Sequence, residues 1–240
     1  MRVERLVAKF PRLYHMAQDG SWPSITAHGL LSTSALLDLY GVPGEQRATI
    51  ESAWRPGSVA LSHPSLGAVV IRDQRPLRPD LLARCLTEGM TPAQWYGLLN
   101  ARVFFWVSED NLRVLRNAVA YRAAPQSILV VDTARLVERH LDAIQMSSIN
   151  SGSILRGGAA RGPHTFRSVE DHDSPRLVEL AVLGAVPDIT DLVLRVERWL
   201  PDGTRTLIWG GPTATGAYLA GAGSRGPYRR PRTNGTRFAV

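Results

Sequence analysis

Short apolar runs are the strongest constraint on how these 240 residues fold. "RVFFWV", "SILVV" and "VELAVL" have the length of a strand, and turn or capping residues lie close to them. No apolar run approaches the roughly 18–20 residues that cross a bilayer. Helical stretches with start signals lie between them. "TPAQWYGLLN" offers Thr91 as a cap and Pro92 at the first position, "SEDNLRVL" offers Ser108, and "DTARLVERH" offers Asp132 or Thr133. Several strands with helices inserted between the early ones predict an α+β domain.

Along the chain, "RLYHMA" predicts a strand that ends at His15. A short helix follows from about Ser21, with Pro23 in its first turn and Gly29 as its stop, and Leu30 and Leu31 lead into a second helix over 34–40. Pro43, Pro56, Pro64, Pro76 and Pro79 punctuate the next stretch, which predicts irregular segments around one strand at 68–71. "LRPDLLARCLTEGM" predicts a helix ended by Gly89, with Cys85 on its apolar face. From Ser147 to Ser174 the chain is rich in Gly, Ser and Asn and has little period, and such a stretch inside a domain is more often functional than decorative. "RLVELAVLGAVPDITDLVLRVERWL" then predicts two strands around a turn at "VPDITD", and "TRTLIWG" a further strand. Residues 1–222 are expected to form one domain. The tail 223–240, where Arg225, Arg229, Arg230, Arg232 and Arg237 lie among Gly and Pro, predicts a basic flexible arm.

Composition excludes several chemistries. One cysteine, Cys85, forbids an intrachain disulfide and a Cys-rich zinc cage. The opening "MRVERLVAKFPRLYH" breaks its hydrophobicity with charges and carries no secretory core, so a cytoplasmic protein without a membrane anchor is expected. Lys and Arg number 28 against 21 Asp and Glu, a net charge of +7. The basic side is almost all Arg, whose planar fork suits phosphates, although GC-rich coding enriches Arg as well. The phosphate loop, the nucleophile elbow and the paired-His zinc helix are absent. "GGAARG" at 157–162 does not join a strand to a helix, so it is no dinucleotide fingerprint. His28 and His140 fall at helix ends, and His63, His164 and His172 fall in polar loops without a second ligand at metal spacing, so no metal is expected.

Three positions remain that carry chemistry together. His15 is either a half-buried strand histidine or the edge of a ligand site. Arg102, Phe104 and Trp106 share one strand face by alternation, where the two rings serve either core packing or stacking on a ligand. Glu179 lies in an apolar strand, either facing outward or buried for use, since an unpaired buried carboxylate is costly.

"LYHMAQDGSWPSITAHGLLS" resembles the opening of the ADP-ribosyltransferase superfamily, in its His-first branch of poly-ADP-ribose polymerases and DarT-type toxins that modify DNA. That opening is a strand ending in His, a short helix and Gly-Leu. "RVFFWVSED" is similar to the second element, an aromatic strand whose Tyr lies in the nicotinamide pocket, with Phe104 at the matching place. "RLVELAVLGAVPDITDLVLRVE" resembles the third, in which the catalytic Glu lies on a strand followed by a Val-Pro turn and another strand. Order and spacing agree over about residues 12–198. The chain also resembles a bacterial family of unassigned function through its "RVFFW" and "INSG" stretches. Phe104 lacks the Tyr hydroxyl, and Met16 stands where polymerases have a Gly whose backbone binds the nicotinamide amide, a contact that survives a side-chain change.

The resemblance implies a mixed β core of two small packed sheets with inserted helices, and an enzyme that uses NAD as co-substrate, without metal. In that reading Glu179 is catalytic, stabilising the positive charge that develops on the ribose as the nicotinamide bond breaks. His15 and the backbone of Met16 hold the cofactor, Ser32 or Thr33 adds a polar contact, and Phe104 or Trp106 stacks on nicotinamide. Arg102, Arg156 or Arg161 meets the pyrophosphate, and the 147–174 loop, with Asn150, Arg156 and Arg161, receives the acceptor. A nucleic acid, DNA or RNA, or a protein is the expected acceptor. A toxin or phage-defence role with a cognate antitoxin follows by analogy. Two alternatives stay open: a non-catalytic nucleic-acid-binding module on the same scaffold, and an RNA 2′-phosphotransferase-like enzyme, whose Arg-His-Arg pattern is missing here.

Overall fold

The computed structural model describes residues 1–154 and 158–211. Its elements run α1 (Val3–Lys9), β1 (Arg12–Gln18), α2 (Trp22–His28), β2 (Leu30–Leu31), α3 (Thr33–Leu39), α4 (Gly44–Glu51), β3 (Val59–His63), β4 (Gly67–Ile71), α5 (Pro79–Leu82) and α6 (Pro92–Asn100). They continue with β5 (Arg102–Trp106), α7 (Glu109–Arg116), β6 (Gln126–Asp132), α8 (Thr133–His140), β7 (Ile144–Ser147), β8 (Glu179–Leu183), β9 (Ala185–Val186), α9 (Ile189–Leu192), β10 (Val193–Trp199) and β11 (Arg205–Gly210). This is an α+β fold. Arg156 and the Arg-rich tail lie outside the described residues.

Among the described residues, seven strands form one antiparallel sheet in the order β11-β10-β6-β1-β5-β8-β7, and β2–β9 and β3–β4 form two separate pairs. In place of two sheets packed on each other, the sheet consists of two half-sheets joined edge to edge. β1 pairs with β6 at every residue from Arg12 to Gln18. It meets β5 at a single pair, Tyr14 with Trp106. The halves therefore part beyond that pair, which leaves a fork between the end of β1 and the start of β5.

Alternation fixes what each face buries. Leu13, Phe105, Leu129, Val131, Leu180 and Val182 point to one face and join the largest core cluster with Leu6, Trp22, Ile25, Leu136 and Ile189 from the helices. On the other face Phe104 and Ala181 pack with Trp95, Tyr96, Leu99 and Phe166, and Met16 and Ile128 pack with Leu112 and Trp199. Each such large side chain contributes about 1.5–3 kcal/mol on burial.

The helix starts follow the expected caps: Thr91 forms a capping box with Gln94, and the side chains of Ser108 and Asp132 accept from the third residue of their helices. Several expectations need correction. Pro43 opens α4 instead of marking irregular chain, because proline is tolerated where helical N–H groups have no partner. The helix expected through Cys85 shrinks to α5 and a 3-10 turn. Leu86 is extended and bridges Arg161, whose carbonyl accepts from the Thr87 N–H, so tertiary pairing wins over helix propensity. Strands β3 and β7 were not apparent in the sequence, and "VPDITD" holds the one-turn helix α9. Strand β1 runs three residues past His15.

Candidate functional site

The junction pair continues as a row across the sheet. Trp106 stands opposite Glu179, and Glu179 opposite Ser147, so Tyr14, Trp106, Glu179 and Ser147 share one face of four neighbouring strands. Glu179 opens β8 and is only 4% exposed. Its Oε2 accepts the Ser151 backbone N–H at 3.0 Å and the Ser151 hydroxyl at 2.7 Å. None of the described residues donates to Oε1. Burial pushes the carboxyl up to about 7 against the pull of the two Ser151 hydrogen bonds and the Arg161 charge. A carboxyl held there exchanges a proton near neutrality, as a general base requires.

The 148–154 segment presents Ser151 because Arg161 clamps it. Arg161 is 1% exposed, and its guanidinium donates to the carbonyls of Ala159 at 2.6 Å, Asn150 at 3.1 Å and Ser153 at 2.6 Å. Arg161, expected on a pyrophosphate, thus holds the loop that holds Glu179, and Asn150 takes part through its carbonyl.

His15 adjoins the same junction from the other face. Its Nδ1–H donates to the Phe104 carbonyl at 2.8 Å, across the fork, and its ring lies 5.8 Å from that of Phe105. Burial lowers its pKa to about 4, with the Phe104 bond opposing and the Arg72 charge adding to the fall. The ring is therefore neutral at pH 7, and a proton on Nδ1 leaves Nε2 as an acceptor. Alternation sends His15 and Glu179 to opposite faces, and the bond to Phe104 carries the imidazole across to β5, where the halves part.

Other expected ligand contacts are already in use by the fold. The Ser32 hydroxyl accepts from the Ala35 N–H and caps α3, and Thr33 is the first residue of that helix. Met16 is a buried core residue. Phe104 packs against Phe166 with centroids 5.8 Å apart, so its ring belongs to the second core cluster. Arg102 donates to the Gln145 Oε1 at 2.8 Å and to the Leu98 carbonyl, and lies over the Phe166 ring. Trp106, half-buried beside Glu179, is the aromatic ring that the sheet places with the carboxylate.

Sequence reading missed Tyr14, Ser151 and Arg72. Tyr14 adjoins His15 in the quoted motif, but only the strand register puts it in the Glu179 row. His172, expected in a polar loop, is buried at 4% exposure, with neither ring nitrogen hydrogen-bonded among the described residues. A polar cleft of about 280 Å³ lies next to the site, lined by Thr87, Ser148, Gly162, His164, Arg167 and His172. No group of His, Cys, Asp and Glu among the described residues is arranged to hold a metal ion. No described helix is long and apolar enough to cross a membrane.

Two of the quoted stretches meet directly. Leu30 pairs with Val186, and Gly29, at φ +81°, sits so close that an added Cβ would come within 2.6 Å of the Pro187 Cα. Hence "AHGLL" and "AVPDI" form one contact that fixes the chain just after β8. No curated protein matches the chain. A family model described as a family of unknown function, DUF7002, matches residues 11–193, and the chain belongs to that family.

Proposed function

We propose that the protein is an NAD-dependent ADP-ribosyltransferase whose reacting sugar lies at the sheet junction beside Glu179. The observation that carries this reading is the carboxyl itself: buried, titrating near 7, one oxygen fixed by Ser151 and the other without a donor among the described residues. When the bond between nicotinamide and ribose breaks, its electron pair leaves with nicotinamide and positive charge develops on the sugar. An anion held at Glu179 Oε1 stabilises that charge. The acceptor then forms the new bond to the ribose and gives up a proton, which Glu179 is able to take.

The fork supports cofactor placement. His15 Nε2 accepts from a ribose hydroxyl, the backbone at Met16 lines the opening, and Trp106 offers a ring face next to Glu179. The acceptor is read as a nucleic acid, DNA or RNA, from the net charge of +7 carried by Arg. Mass spectrometry of NAD incubated with the protein and oligonucleotides tests this. Free nicotinamide with an ADP-ribosylated oligonucleotide supports the reading; intact NAD with every acceptor, protein included, contradicts it.

A further inference from the structure

Three arginines collect near the end of β4 where the half-sheets part, and among the described residues none forms an ion pair. Arg55 is committed, donating to the Arg72 carbonyl at 3.1 Å, to the Asn100 Oδ1 at 3.0 Å and to the Ile50 carbonyl. Arg116 donates to the Tyr121 carbonyl at 3.1 Å. Arg72 differs from both. Its Nη2 donates to the buried Gln126 Oε1 at 2.5 Å, its guanidinium lies 4.8 Å from the centre of the Tyr121 ring and feels the Asp73 charge, and its Nη1 is buried without a hydrogen-bond partner among the described residues. The neighbouring acid, Asp73, already accepts the Tyr121 hydroxyl at 2.9 Å and the Arg75 N–H at 3.1 Å.

A buried cation with an unpaired donor costs stability unless an anion completes it. Arginine keeps its charge when buried, and its planar fork matches phosphoryl oxygens. Gln126 lies on β6 opposite Gln18, at the end of β1. Arg72 is also close enough to His15 to depress its titration. The Arg72 guanidinium therefore lies near the part of the sheet where His15 spans from β1 to β5.

We propose that Arg72 is the anchor for the phosphate groups of the bound ligand, donating from Nη1 to a diphosphate oxygen. Identifying that diphosphate as part of NAD rests on the function proposed above, whereas the phosphate chemistry stands on Arg72 alone. Of the guanidinium groups first expected in this role, Arg102 donates to a glutamine and a carbonyl, and Arg161 turns both its Nη groups to loop carbonyls, its Nε being buried without a hydrogen-bond partner among the described residues. Tyr121 and Gln126 hold the Arg72 plane, so binding costs little side-chain ordering.

Calorimetric titration of the full chain with inorganic pyrophosphate, ADP-ribose and adenosine tests the proposal, using the parent, R72Q and R72K. R72Q is expected to bind pyrophosphate and ADP-ribose about tenfold more weakly or worse, R72K to fall between, and adenosine binding to be unchanged. Thermal melting without ligand establishes that each variant is folded; if R72Q is not, R72K carries the comparison. Equal affinity of parent and folded variants for both phosphates overturns the proposal, as does a parent that binds neither. Nicotinamide release separates the two claims. A parent that binds pyrophosphate through Arg72 but never releases nicotinamide keeps the anchor and removes the NAD reading, and the converse keeps the enzyme and removes the anchor.

Discussion

Glu179 and Ser151 are locked together: one carboxylate oxygen takes both the backbone N–H and the hydroxyl of the same serine, at 3.0 and 2.7 Å. The serine lies in the irregular segment after β7 and the acid opens β8, so the loop sets where the carboxylate points. Both Ser151 bonds favour the charged form and hold the titration near 7 against the pull of burial.

Removing the hydroxyl therefore moves the titration further up. In S151A the pH midpoint of nicotinamide release is expected to rise above that of the parent, with activity at pH 7 reduced and largely recovered at pH 9. A midpoint that stays in place would show that Ser151 does not tune the acid.

The same carboxyl makes stability fall with pH. Its folded pKa, about 7, lies above the ordinary value of 4.5, so its contribution is complete below about 4.5 and is lost as pH rises through about 7. E179Q is expected to escape this loss, gaining on the parent between pH 4.5 and 7.5 by up to about 3 kcal/mol, a shift of that size at about 1.4 kcal/mol per unit. Urea melts across that range check it, and a constant difference between the two proteins would oppose it.

His15 acts with the opposite sign. Its folded pKa, about 4, lies below the ordinary 6.5, so its contribution is complete above about 6.5 and is lost as pH falls towards 4. H15Q, which keeps a donor for the Phe104 carbonyl, is expected to lose less stability than the parent on acidification across that window. Parallel acid curves for the two would remove the buried neutral imidazole.

Gly29 tests the contact between the two motif stretches. G29A places a methyl against the Pro187 backbone at a left-handed φ of +81°. A loss of about 1–3 kcal/mol is expected in chemical denaturation. Wild-type stability in G29A would mean that β9 moves away without cost.

Strands with short apolar runs were legible in the sequence: β1, β4, β5, β6, β8, β10 and β11 fall on such runs, and the caps at Thr91, Ser108 and Asp132 mark their helices. Strand β7 was hidden because it runs straight into the loop, and α4 because proline at a helix start looks like proline in a loop. Glu179 was legible as the one acid in an apolar run. Its neighbours were not, since Tyr14 joins its row only through register, and Ser151 and Arg161 reach it through tertiary contacts that no local pattern encodes. Arg72 was missed for the same reason, its role depending on Gln126, 54 residues away.

Nicotinamide release by the parent and by E179Q at pH 8, where the parent carboxyl is ionised, tests the central claim most directly, with thermal melts confirming that the variant is folded. The account predicts steady release by the parent, rising with pH through about 7, and a folded E179Q that releases almost none. Equal release by the two proteins would contradict the assignment of Glu179 as the catalytic acid group.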